Sequence, residues 1–208
     1  TLSGISVTDV DGNLSSVQLA VGNGILNVTL AGGATISAGS NSTSTLTLSG
    51  NQADINATLA TLIYQGTADF NGADTLTVTS TDSNAVTDVD TVAITVIAVN
   101  DVPLNTVPGE KTAAENGLLA LNGISVNDVD GNLLSVQLQV TNGSLIVTLF
   151  GTASISNGMN GSNTLTLSGS QADINSTLSS LYYQANAGFS GLEKLTISSI
   201  DSNGAFDI

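Results

Sequence analysis

The hexapeptide Asp-Val-Asp-Gly-Asn-Leu occurs twice, at Asp9–Leu14 and at Asp128–Leu133. Each copy sets two carboxylates one residue apart. Their oxygens are acceptors only, and at about 5 Å two such charges repel by roughly 3 kcal/mol at an effective dielectric near 20. Two kinds of chemistry relieve this. The first aspartate can cap an Asp-Gly turn through backbone N–H groups. Alternatively a divalent cation can bind the pair, since calcium takes six to eight hard oxygen ligands. These residues alone admit both readings. The loop is no EF-hand, because no glutamate closes a twelve-residue loop, and Ala31–Gly39 lacks the aspartate of a calcium-binding nonapeptide.

Catalysis finds little to work with. Histidine and cysteine are absent, so there is no imidazole base and no thiolate, and the many serines have no evident activator. A glycosidase-type carboxylate pair is compatible with the composition. Most acids nevertheless recur beside Gly and Asn, which points to a structural role. The chain is expected not to be an enzyme.

Charge narrows the partners. The formal net charge is −15, with 17 acidic residues against Lys111 and Lys194. Such a surface repels nucleic-acid phosphates and anionic lipid and attracts cations. The absence of cysteine allows secretion without requiring it. The most apolar run, Val92–Val99, is too short to span a bilayer and reads as a buried strand.

The elements that must position the acids come from a repeat. Shifting the chain by 119 positions lays Leu2–Asp88 on Leu121–Asp207 without a gap, at about 60% identity. Two units follow, residues 1–100 and 101–208. By this period the first lacks its opening strand and the second its last, as in a piece of a longer tandem array.

Within a unit, Thr, Val, Ile and Leu alternate with small polar residues over Ile25–Leu30, Thr45–Ser49, Leu76–Ser80 and Thr91–Val99. Asp11-Gly12, Asn23-Gly24 and Asn142-Gly143 suit tight turns with positive φ. Short strands with regular turn signals predict an all-β fold of sandwiches. One helix per unit is expected near Gln52–Ala60 and Gln171–Ser179. There Ile55, Leu59 and Leu62 follow helical spacing, and Asn51 and Ser170 stand as N-caps with Asp54 and Asp173 at N3. Tyr64/Tyr183 and Phe70/Phe189 recur in both units and are expected in the core.

Further acids accompany the hexapeptides. Each unit carries Asp82-Ser83-Asn84 or Asp201-Ser202-Asn203, and Asn100-Asp101 lies before a proline between the units. With these blocks the chain resembles bacterial cadherin-like tandem repeats of large secreted RTX-type or biofilm adhesins. "VNDVDGNLLSVQL" is similar to the cadherin Asp-x-Asp motif. "TSTDSNAVTDVDTVAITVIAVNDVP" resembles its later aspartate, last strand and Asn-Asp linker, and "AAEN" its first-strand Glu-Asn pair. The middle of each unit resembles proteoglycan-type repeats of the same broad group. The family's Asp-Arg-Glu motif has no counterpart, since the chain has no arginine.

The resemblance implies immunoglobulin-like sandwiches. It also implies Ca2+ bound by Asn100, Asp101, Glu115, Asp128, Asp130 and Asp201 at the entry to unit two, and by Asp9, Asp11 and Asp82 in unit one. The function expected on this basis is a calcium-stiffened structural or adhesive segment of a long extracellular or cell-surface protein. Its partners would be neighbouring repeats, identical chains in a filament or matrix, and a polysaccharide or cell-surface ligand. A self-assembling filament or surface-layer subunit and a carbohydrate-binding module are the alternatives.

Overall fold

The computed structural model describes residues 1–208 and divides into two compact units, Thr1–Val99 and Asn100–Ile208. Unit one contains β1 (Leu14–Ala20), β2 (Gly24–Asn27), β3 (Thr35–Gly39), β4 (Thr45–Ser49), α1 (Gln52–Leu59), β5 (Ile63–Gly66), β6 (Gly72–Asp82) and β7 (Thr87–Val96). Unit two contains β8 (Leu104–Thr106), β9 (Leu118–Ala120), β10 (Ser125–Asn127), β11 (Leu133–Gln139), β12 (Gly143–Ile146), β13 (Ser154–Gly158), β14 (Thr164–Ser168), α2 (Gln171–Leu178), β15 (Tyr182–Ala185), β16 (Thr196–Asp201) and β17 (Phe206–Asp207). The fold is mostly β. The two helices begin where the sequence places them, and each ends a residue earlier.

Every strand pairing is antiparallel. In unit one a five-stranded sheet runs β3-β4-β1-β6-β7, and β2 pairs with β5. In unit two the matching sheet runs β13-β14-β11-β16-β17, beside β12-β15-β9 and the pair β10-β8. Alternation fixes the buried faces. Val17 and Leu19 of β1, Leu46 and Leu48 of β4, and Leu76 and Val78 of β6 point into one core. That core also takes in Leu26 from β2 and Ile55 and Leu59 from α1. Each such side chain contributes about 1.5–3 kcal/mol through burial. Unit two repeats the arrangement around Val136, Leu138, Leu165, Leu167, Ile174 and Leu178.

The helix starts are set by their caps. Asn51 Oδ1 accepts from the Asp54 N–H at 2.9 Å, and Ser170 Oγ accepts from the Asp173 N–H at 3.2 Å. Asp54 and Asp173 turn their carboxylates to a neighbouring loop, accepting from the N–H of Gly33 at 2.8 Å and of Thr152 at 2.9 Å. The acid at N3 therefore joins helix to loop.

Three expectations need correction. Val92–Val99 is no buried strand: β7 is an edge strand bonded to β6 alone, its inward residues are only half-buried, and Ile97 and Val99 lie exposed beyond its end. Gly12 and Gly131 do adopt positive φ, +69° and +68°, but Gly24 and Gly143 do not. There the reason for glycine is close approach, since a Cβ would sit 2.4 Å from the Tyr64 ring and 2.3 Å from that of Tyr183. Finally, Tyr183 is buried and Tyr64 packs on the core, whereas Phe70 and Phe189 are half-buried and belong to neither core.

Candidate functional site

The acid-bearing loops are held by the helices through the repeated Gln-Ala-Asp-Ile-Asn block. Gln52 Oε1 accepts from the Asp9 N–H, and Gln171 Oε1 from the Asp128 N–H, both at 2.8 Å. One turn on, Asn56 brackets Val7, accepting from its N–H and donating to its carbonyl, both at 2.9 Å; Asn175 brackets Val126 identically. A β-bulge between Leu14 and Ser16, matched between Leu133 and Ser135, sets Leu14 opposite Asp82 and Leu133 opposite Asp201. The Ser83 N–H donates to Asn13 O and the Ser202 N–H to Asn132 O, both at 3.0 Å, which ties the two acid loops together in each unit.

In unit two these constraints gather one polar cluster. Asp201 is buried, at 1% exposure. Its Oδ1 accepts from the N–H groups of Asn203 and Ala205, both at 2.8 Å, and its Oδ2 from Asn100 Nδ2 at 2.7 Å. The Asn100 amide beside it, helped by those backbone donors, holds the Asp201 carboxyl below the usual carboxylate range against the opposing effect of burial. Asn100 Oδ1 accepts from Asn132 Nδ2 at 2.8 Å and from Asn203 Nδ2. The Asp101 N–H donates to Asp130 Oδ2 at 2.7 Å. Asp128 is buried within the same loop, and its carbonyl accepts from the Gly131 N–H at 3.2 Å.

Asn100, Asp101, Asp128, Asp130 and Asp201 thus belong to one end of unit two. Asn132 and Asn203 join them without having been singled out in the sequence. The signal was present, since each stands two residues after a repeated aspartate. Glu115 lies exposed in the stretch before β9, and no hydrogen bond links it to the cluster.

In unit one Asp9 Oδ1 accepts from the N–H groups of Asp11 at 3.0 Å and Asn13 at 3.4 Å. That is an Asx-type turn. Asp82 Oδ1 accepts from Asn84 and Val86 N–H, both at 2.8 Å. Asp11 is exposed and Asp82 half-buried.

The donor set fits a hard cation in kind. Carboxylates, asparagine carbonyls and backbone oxygens are calcium ligands. The arrangement is a hydrogen-bonded one, and nowhere do three acids form a group able to hold a metal. Asn100, Asn132 and Asn203 have amides whose oxygen and nitrogen ends are nearly isosteric, so rotation about χ2 exchanges donors for ligands without moving the backbone.

A second set of carboxylates, unnoticed in the sequence, is structural. Asp74 lies near the start of β6, eight residues and roughly 26 Å along the strand from Asp82. It accepts from the N–H groups of Gly22 at 3.0 Å, Asn23 at 2.9 Å and Thr75 at 2.8 Å, and from the Tyr64 hydroxyl at 2.9 Å. Burial pushes its pKa up, but these donors outweigh burial and hold it below the usual range. Burial and then the adjacent Asp74 push Tyr64 up to about 12. Glu193 takes the same post in unit two, accepting from the N–H groups of Thr141 and Asn142, and it too is held low by backbone donors against burial.

The class of protein is therefore a β-rich tandem repeat with helix-clamped acidic loops at one end of each unit and a stapled turn at the other. The family model described as the Protein GAMETE EXPRESSED 2 domain matches residues 2–91 and 120–208, which is most of both repeats. The chain belongs to this family. A comparison with curated proteins finds no match.

This corrects the resemblance to bacterial cadherin-like and biofilm-adhesin repeats. The Asp-x-Asp-Gly, Asp-Ser-Asn and Asn-Asp blocks that carried it are short, and Asp9 and Asp82 form Asx turns of a kind that arises wherever an aspartate caps a loop. The family match covers residues 2–91 and 120–208, so it takes in the helix block and the strands around it and leaves the Asn100-Asp101 segment outside.

Proposed function

We propose that the chain is a non-enzymatic structural and adhesive repeat segment acting outside the cell, each unit a β-sandwich whose acidic end binds calcium. The sandwich reading is supported by the composition of each core, which joins the inward face of a five-stranded sheet to residues of shorter strands outside it. The observation that carries the calcium reading is the convergence of Asp201, Asp130 and Asp128 with Asn100 and Asp101 at one end of unit two. Asn100 and Asp101 directly follow unit one in the chain. An ion held by Asp128, Asp130 and Asp201 together with Asn100 and Asp101 would take the place of the hydrogen bonds that join these loops and fix the Asn100-Asp101 segment against the rest of unit two. Asp9, Asp11 and Asp82 would serve the same purpose in unit one.

Melting curves test this. With Kd near 1 mM, as for extracellular calcium modules, 10 mM calcium adds about 1.4 kcal/mol to the folded state. For a unit of this size that raises the melting temperature by about 5–10 °C. Asp128→Asn combined with Asp130→Asn should remove most of the response in unit two and leave unit one folded. Identical curves in calcium and in chelator would reduce the Asp-x-Asp loops to ordinary turns.

A further inference from the structure

Two side-chain atoms in the interior of unit two lack a hydrogen-bond partner, the Ser199 hydroxyl and the Asn105 carbonyl oxygen Oδ1. Buried polar groups are almost always paired, because leaving one unpaired forfeits its hydration with nothing in return. Two orphans at one place therefore point to a shared partner.

The topology puts them at one place. Ile197, Ser199 and Asp201 are the buried residues of β16, and Ser199 has 0% exposure. Ser199 pairs with Asp207 of β17 on one side and with Val136 of β11 on the other. Residues directly opposite in an antiparallel sheet project to the same face, so Asp207 and Ser199 share the inward one. β8 packs against β16. Its Asn105 N–H donates to Asp207 Oδ2 at 2.7 Å, and Asn105 Nδ2 donates to the Asp207 carbonyl at 3.1 Å. The second bond settles which way the amide points. Turned over, it would set one acceptor against another.

We propose that Ser199, Asn105 and Asp207 form a buried hydration site holding one ordered water. The chemistry selects water. Ser199 offers one donor and two acceptor lone pairs, and Asn105 Oδ1 accepts only. A water can donate to Asn105 Oδ1 while bonding the Ser199 hydroxyl, with Asp207 as a third partner, which is the usual complement of a buried water. Calcium needs six to eight oxygens, and the one carboxylate here already receives the Asn105 N–H. The site would fasten β8, the strand directly after Asn100–Pro103, onto β16 and β17. It is independent of calcium at the acidic end.

The test is water–protein NOE spectroscopy on the 15N-labelled chain. The expected result is a long-lived water with cross-peaks to the Asn105 side-chain amide and the Asp207 N–H. Ser199→Val, which fills the space and removes the hydroxyl, should abolish those cross-peaks. Absence of the cross-peaks in the unsubstituted chain, or their survival in Ser199→Val, overturns the proposal. A high-resolution crystal structure of the unsubstituted chain gives the same decision without a variant. Density within hydrogen-bond distance of both orphan atoms supports the site. A direct Ser199–Asn105 hydrogen bond, or an ion with six close oxygens, overturns it.

Discussion

Replacing Asn175 with alanine removes two hydrogen bonds from the backbone of one residue. The Val126 N–H and carbonyl each meet the Asn175 amide at 2.9 Å, and Val126 itself is buried at 2% exposure, so water is a poor substitute. A net hydrogen bond contributes about 1 kcal/mol, and stranding its buried partner costs about 1–3 kcal/mol. The two together place the loss at about 2–4 kcal/mol, which lowers the melting temperature of a unit this size by upwards of about 10 °C. Asn175→Asp should lose roughly half as much, because it can still accept from the Val126 N–H but faces the carbonyl with a second acceptor. Denaturant unfolding followed by amide NMR signals of each unit is the assay, with unit one as reference. A loss below about 0.5 kcal/mol in Asn175→Ala would refute the argument that the helix clamps this strand through its asparagine.

Leu59→Ala and Leu178→Ala should each cost about 2–5 kcal/mol, since both side chains are fully buried, and calorimetry of the single variants measures it. Acid should destabilise both units. The folded-state pKa values of Asp74, Glu193 and Asp201 lie below their ordinary ones. Their contribution is therefore complete above the unfolded-state values of about 4 and is lost as pH falls through the folded-state values. Melting temperature measured from pH 7 down to pH 2 should fall below about pH 4, and Asp74→Asn should flatten that fall in unit one.

The helices were legible because their signals are local. Asn51 or Ser170 stands as the cap, Asp54 or Asp173 follows at N3, and Ile55 and Leu59 mark one face. The roles of Asn56 and Asn175 were not legible, because each acts on a residue 49 positions away. Asp74 was missed for the same reason. Between alanine and threonine it looks like an outward strand residue, and only the fold brings the N–H groups of Gly22 and Asn23 to it. Val92–Val99 misled in another way. Its composition reads as a central strand, yet burial depends on neighbours, and β7 has one. The acid loops were found through their repetition, while Asn132 and Asn203 emerged once Asn100 was seen between them.

The calcium reading is tested most directly by isothermal titration of the chain with calcium chloride at low ionic strength, alongside Asp128→Asn combined with Asp130→Asn. Saturable binding is expected with Kd between about 0.1 and 1 mM, with loss of the unit-two sites in the double variant. A flat titration of the unsubstituted chain, or an unchanged one for the double variant, would contradict it.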